Sequence, residues 1–178
     1  MALWPHAFRL RYRLSIGTAL DLALTVESRS PVAFSFQEAL HTYLHVGDVE
    51  AVSVRGLEGG TYIDKADQMA RKAQGGEAVR LRGLTDRVYL DTEHPCQVDD
   101  PVLGRRLSVD KRGSRTTVIW NPGDDMARSM ADLGAPAWRS MLCVETANAA
   151  DNAVRLGPGE RHEMGARLAV ASGSPSAP

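Results

Sequence analysis

From Phe8 the apolar residues fall at Phe8, Leu10, Tyr12 and Leu14, with Arg9, Arg11 and Arg13 between them. Such strict alternation predicts a strand, because successive side chains leave opposite faces of an extended chain. After Ser15-Ile16-Gly17-Thr18 it resumes as Leu20, Leu22, Leu24 and Val26 against Asp21, Thr25 and Glu27, so the two runs predict a hairpin. Ser28-Arg29-Ser30-Pro31 closes it with turn-forming residues. Further strands are expected at Val32 to Phe36 and Val49 to Val54, whereas the polar stretch Lys65 to Gly76 reads as an exposed loop. Short apolar runs follow at residues 78–81, 88–90, 105–109, 116–120, 141–145 and 153–156, and His162, Met164, Ala166, Leu168 and Val170 alternate again. Connections rich in Pro, Gly and Asp separate them, which predicts an all-β, antiparallel β-sandwich.

One short helix interrupts this pattern. Asp124-Asp125 can cap a segment in which Met126, Met130 and Leu133 recur at helical spacing before Gly134 and Pro136. The organisation expected is one domain over residues 1–170 and a disordered tail at 171–178.

Composition narrows the function classes. The chain has 178 residues, 43% of them hydrophobic and 24% charged, which are globular values. Its formal charge of −1 supplies no field for nucleic acid or an anionic membrane. No apolar run is long enough to span a bilayer and the N-terminus lacks a signal-peptide pattern, so a cytoplasmic location is expected. Cys96 and Cys143 form no CxxC pair and are expected to be reduced.

Taken alone, His41 in Glu38-Ala39-Leu40-His41-Thr42-Tyr43 reads as a histidine satisfied by backbone. Glu145 closes the apolar run Met141 to Val144, where a carboxylate is costly to bury without a partner, unless its side chain turns outward at the strand end. Asp86 after Thr85 is common turn chemistry. His41 and His45 are spaced for a metal on a helix rather than on an extended segment, and no third ligand accompanies them, so no metal is expected. Ser35, His41 and Asp48 can be written as a triad, but no nucleophile-elbow sequence supports one. Arg9, Arg11 and Arg13, and the pairs Arg105-Arg106 and Lys111-Arg112, read as solvated faces.

The segment from Glu38 through Val46-Gly47-Asp48 to Leu57, together with Thr85 to Leu90, Trp120-Asn121-Pro122 and Cys143 to Asn148, resembles the hexose-6-phosphate mutarotases of the aldose 1-epimerase family. The resemblance covers roughly Trp4 to Val170. It implies the galactose mutarotase-like β-supersandwich, here incomplete at the N-terminus, and interconversion of the α and β anomers of a hexose 6-phosphate without a cofactor. That reaction needs a base at the C1 hydroxyl and an acid at the ring oxygen, expected on opposite sides of the sugar. By the resemblance His41 is the general acid, Glu145 the general base, and Asp86 a ligand of the sugar hydroxyls. The family's phosphate-binding basic residues come chiefly from the N-terminal region that has no counterpart here, so no arginine inherits that role. Where the family continues Trp-Asn-Pro with a second tryptophan, this chain has Gly123. The other reading of a shortened chain is a non-catalytic carbohydrate-binding or interaction module, and exposed sheet edges lead us to expect self-association.

Overall fold

Alternation dictates most of the architecture in a computed structural model, which describes residues 4–134 and 136–172. The N-terminal runs form β1 (Phe8–Ile16) and β2 (Ala19–Ser28), paired as an antiparallel hairpin from Phe8 opposite Ser28 to Ile16 opposite Leu20. Three short strands follow, β3 (Phe34–Phe36), β4 (Glu38–Leu40) and β5 (Tyr43–His45). Next come β6 (Ser53–Arg55), β7 (Thr61–Asp64), β8 (Ala70–Ala73), β9 (Thr85–Leu90) and β10 (Cys96–Asp100). The chain then forms β11 (Arg105–Arg112), β12 (Thr116–Asn121), the helix α1 (Gly123–Ser129), β13 (Met141–Asn148), β14 (Val154–Leu156) and β15 (Arg161–Ser172).

Two sheets carry the sandwich. One runs β1-β2-β15-β11-β10-β6; the other runs β4-β13-β12-β9-β7-β8, with β5 also paired to β13, and β14 with β3 makes a small third sheet. Apolar side chains of the first sheet (Val54, Cys96, Val98, Leu107 and Val109) pack against those of the second (Tyr62, Tyr89, Ile119, Leu142 and Val144) in the main core. Both cysteines are free and buried.

Several expected elements are corrected by the pairing. The run 78–81 is no strand, because only Val79 bridges, to Val54. The polar stretch expected as a loop contains β8, an edge strand whose backbone is held by β7 and which therefore needs no apolar face. The short strands β4, β5, β7 and β10 are too brief to show alternation. Helix α1 ends at Ser129, and its buried residues are Gly123 and Ala127, whereas Met126 is exposed. The helix docks through Gly123 and Ala127, not through Met126. Asp124 pairs with Arg128 rather than capping, and the Gly123 N–H donates to Asn121 Oδ1 at 2.8 Å. Of the expected tail, Ala171 and Ser172 still belong to β15, opposite Arg106 and Arg105, and residues 173–178 lie outside the described residues.

The hairpin also departs from expectation. Strand β1 pairs as predicted, yet its apolar residues Phe8, Leu10, Tyr12, Leu14 and Ile16 are 45% to 85% exposed. Trp4 meets Phe8 at one end, with ring centroids 4.9 Å apart, and the rest of the row stays exposed, so alternation here marks a face suited to burial that is largely open.

Lys111 is the reverse case. It lies opposite Ala166 on the inner face of its sheet, and its ammonium donates to Thr92 Oγ1, Thr117 Oγ1 and the Thr116 carbonyl at 2.7–3.3 Å. Burial lowers its pKa to about 8. A solvated face is therefore the wrong description for this residue, because β11 turns it inward.

Candidate active site

Strand β13 is buried along its whole length, and its two faces have different chemistry. Leu142 and Val144 point into the sandwich, so Cys143, Glu145 and Ala147 lie on the opposite face. There Glu145 sits beside Val118 on β12 and Ala147 beside Thr116. The carboxylate that ends an apolar run thus does not turn into solvent. Its side chain is only 6% exposed.

Across β13 the ladder is interrupted. Leu40 on β4 pairs with Thr146 and Tyr43 on β5 pairs with Cys143, so the intervening His41 and Thr42 stand opposite Glu145 and Val144 without ladder bonds. Released from the ladder, His41 turns its ring onto the strand. His41 Nδ1 lies 2.9 Å from Glu145 Oε1, while the histidine side chain remains 65% exposed. Burial pushes the Glu145 carboxyl up from the ordinary carboxylate range, His41 opposes that rise, Asp86 adds to it and Lys65 opposes it. A carboxylate so placed is a better base than a solvated one.

These groups line a pocket of about 400 Å³ together with Tyr43, Lys65, Asp86 and Trp120. Asp86 on β9 is opposite Trp120 on β12 and forms an ion pair with Lys65 at 3.4 Å. Tyr43 meets Trp120 edge-on, with ring centroids 6.1 Å apart, forming an aromatic wall. All three residues singled out from sequence therefore meet in one place. Lys65 was missed, because it was read as the start of an exposed loop; the hydrogen bond from its N–H to the Asp86 carbonyl at 2.8 Å is what brings that turn to the pocket.

The other candidates separate. His45 contacts the Ser140 carbonyl, Ser35 belongs to β3, and Asp48 accepts from the Glu50 N–H, so neither a histidine pair nor a triad forms around His41. Among the described residues no group of three or more His, Cys, Asp or Glu side chains converges as a metal site. Asn121 supports the site from behind, donating through Nδ2 to the Trp138 and Met141 carbonyls at 2.8 Å each. Gly123 has φ of +64°, and a Cβ there would stand 2.6 Å from the Leu84 nitrogen, so the chain passes too close for a side chain.

The profile of the family described as Aldose 1-epimerase matches residues 2–168. The chain belongs to that family. It is 35% identical over 176 residues to a Cenchrus ciliaris protein named “Putative glucose-6-phosphate 1-epimerase”, covering 97% of this chain and 53% of the relative. A protein of the same name from Escherichia coli (strain K12) is 34% identical over 148 residues, covering 83% of this chain and 49% of the relative. In structure it is similar to YeaD of Salmonella typhimurium, described as a “putative mutarotase”, with a TM-score of 0.86 and 30% identity over 95% of this chain and 55% of that one. The chain thus spans about half the length of the curated relatives it matches. The mutarotase fold and family are as the residues suggested. Among the described residues no helix is long and apolar enough to cross a membrane.

Proposed function

We propose that the chain interconverts the α and β anomers of a hexose 6-phosphate, with Glu145 as general base, His41 as general acid and Asp86 as a ligand of the sugar hydroxyls. The observation that carries this reading is the 2.9 Å contact between His41 and the buried Glu145 at the pocket. His41 and Glu145 stand side by side at the wall of the pocket. Contact suits the chemistry, since the C1 hydroxyl oxygen and the ring oxygen are both bonded to C1.

In the first step Glu145 takes the proton from the C1 hydroxyl while His41 gives one to the ring oxygen. The bond from C1 to the ring oxygen breaks with its electron pair going to that oxygen, and C1 becomes a carbonyl. Rotation about C1–C2 presents the other carbonyl face, and the reverse transfers close the ring. Glu145 begins ionised and His41 protonated, and after the two transfers closure restores both. With Nδ1 of His41 on Glu145 Oε1, Nε2 and Oε2 remain to face the two oxygens. Each properly placed proton transfer contributes roughly 10²- to 10⁴-fold.

The names of the relatives support a phosphorylated hexose as substrate. The test is magnetisation exchange between the anomers of glucose 6-phosphate, measured by NMR with the purified chain and its Glu145→Gln variant. Exchange accelerated by the parent and lost in the variant is expected. A folded parent that leaves the spontaneous rate unchanged overturns the enzyme reading and leaves a carbohydrate-binding role.

A further inference from the structure

The pocket is asymmetric along the sheet. His41 and Glu145 occupy its β13 end, while Lys65 follows β7, three strands away in the order β13-β12-β9-β7. At the usual strand spacing that is roughly 14 Å between backbones. Asp86, on the intervening β9, lies between the two ends, and the lysine leans toward it. A ligand lying across the sheet would meet acid/base chemistry at one end and an ammonium at the other.

Lys65 differs from the other two lysines of the chain. Lys72 is held by Asp64 and Asp67 at 2.8 and 2.7 Å, and Lys111 spends its donors on three oxygens inside the sandwich. Lys65 is half-exposed, and its ion pair with Asp86 at 3.4 Å carries no hydrogen bond. Among the described residues it is also the sole lysine or arginine lining this pocket, where Asp86 and Glu145 would otherwise repel an anion. We infer that Lys65 takes the anionic group of the sugar substrate, a role no arginine of the chain is placed to fill in this pocket. A hexose with C1 at His41 and Glu145, laid across the sheet, directs the phosphate at its far end toward the Lys65 side of the pocket. The inference rests on the mutarotase reading for the orientation of the sugar, but it concerns binding and can be read without turnover.

The test compares the parent chain with Lys65→Met and Lys65→Arg, using calorimetric binding of glucose 6-phosphate and of glucose, and anomer exchange on both sugars. A charge-assisted contact predicts that Lys65→Met lowers the preference for glucose 6-phosphate over glucose by roughly tenfold to a hundredfold, with most of it restored by arginine. Equal weakening of both sugars would mean that Lys65 merely positions Asp86, and would overturn the inference. So would an unchanged preference, or a parent that does not prefer the phosphorylated sugar. If the parent binds with a Lys65-dependent preference yet accelerates neither exchange, the catalytic reading falls and the assignment of Lys65 stands. If it accelerates exchange without that preference, the assignment falls and the mutarotase stands.

Discussion

Two histidine–glutamate pairs close at 2.9 Å: His41, between β4 and β5, with Glu145 on β13, and Glu38 on β4 with His162 on β15 of the other sheet. In the first, Glu145 is 6% exposed and its partner His41 65%; in the second, Glu38 is 4% exposed and His162 only 23%. The second pair is the more buried of the two, although His162 and Asn148 line a separate pocket of about 480 Å³. Asn148, opposite Glu38 in the ladder, also donates to Glu38 Oε1 at 2.9 Å and to the Gly113 carbonyl at 2.8 Å, so strand and loop are tied around it. Among the described residues Glu145 has no such second donor, and His41 opens onto a pocket with Tyr43, Asp86 and Trp120. On the proposed reading identical chemistry serves two purposes. A buried carboxylate whose one oxygen is held by two protein donors fixes a structure, and one that shares a single donor with an open pocket can exchange it for a substrate.

The largest effect that would break this contrast is on rate. His41→Gln is expected to lower kcat/KM for anomer exchange by roughly 10²- to 10⁴-fold, while His162→Ala leaves the rate of the folded protein unchanged. Comparable rate losses in both variants, measured by the same NMR exchange, would show that the two pairs do not divide as described.

Stability should run the other way. His162→Ala leaves Glu38 buried beside an incomplete set of donors, and removing one partner of a buried pair costs about 3 kcal/mol. A urea titration should show it as a lower midpoint with an unchanged slope. His41→Gln should cost less, since water reaches that pair, and an equal or larger loss there would contradict the distinction.

The smallest effect is a pH dependence. The hydrogen bond to Glu38 is the main cause that raises the His162 pKa from its ordinary value of 6.5, against the opposing effect of burial. A raised folded-state pKa means that the stability it contributes is fully present below the unfolded value and is lost as pH climbs through the folded one. The urea midpoint of the parent should therefore fall as pH rises above about 6.5, and that slope should flatten in His162→Ala. An equal slope in the variant would assign the dependence to other groups.

Much of this molecule is legible in its residues, and the failures have physical causes. Long alternating runs announced β1, β2 and β15 because a period of two over many residues has no helical counterpart. Strand β8 was invisible because an edge strand depends on its neighbour's backbone and can be polar on both faces. The helix was recognised but its buried side was not, since the positions that pack are Ala127 and Gly123, where a Cβ would stand 2.6 Å from the Leu84 nitrogen. His41, Glu145 and Asp86 were found through four spaced motifs, whereas Lys65 carried no local signal at all.

The sequence by itself determined the periodicities, and through them the all-β class and the pairing of β1 with β2, because those follow from interactions between near neighbours. It also specified a buried-looking carboxylate at the end of an apolar run. Which face of β13 that carboxylate occupies, that His41 stands opposite it, and that the second glutamate–histidine pair is the more buried were decided only by tertiary structure. Register joins residues more than a hundred positions apart, and a shift of one residue would exchange the faces. The open face of β1 is equally a tertiary fact, since alternation says that a strand has an apolar side and not whether anything covers it.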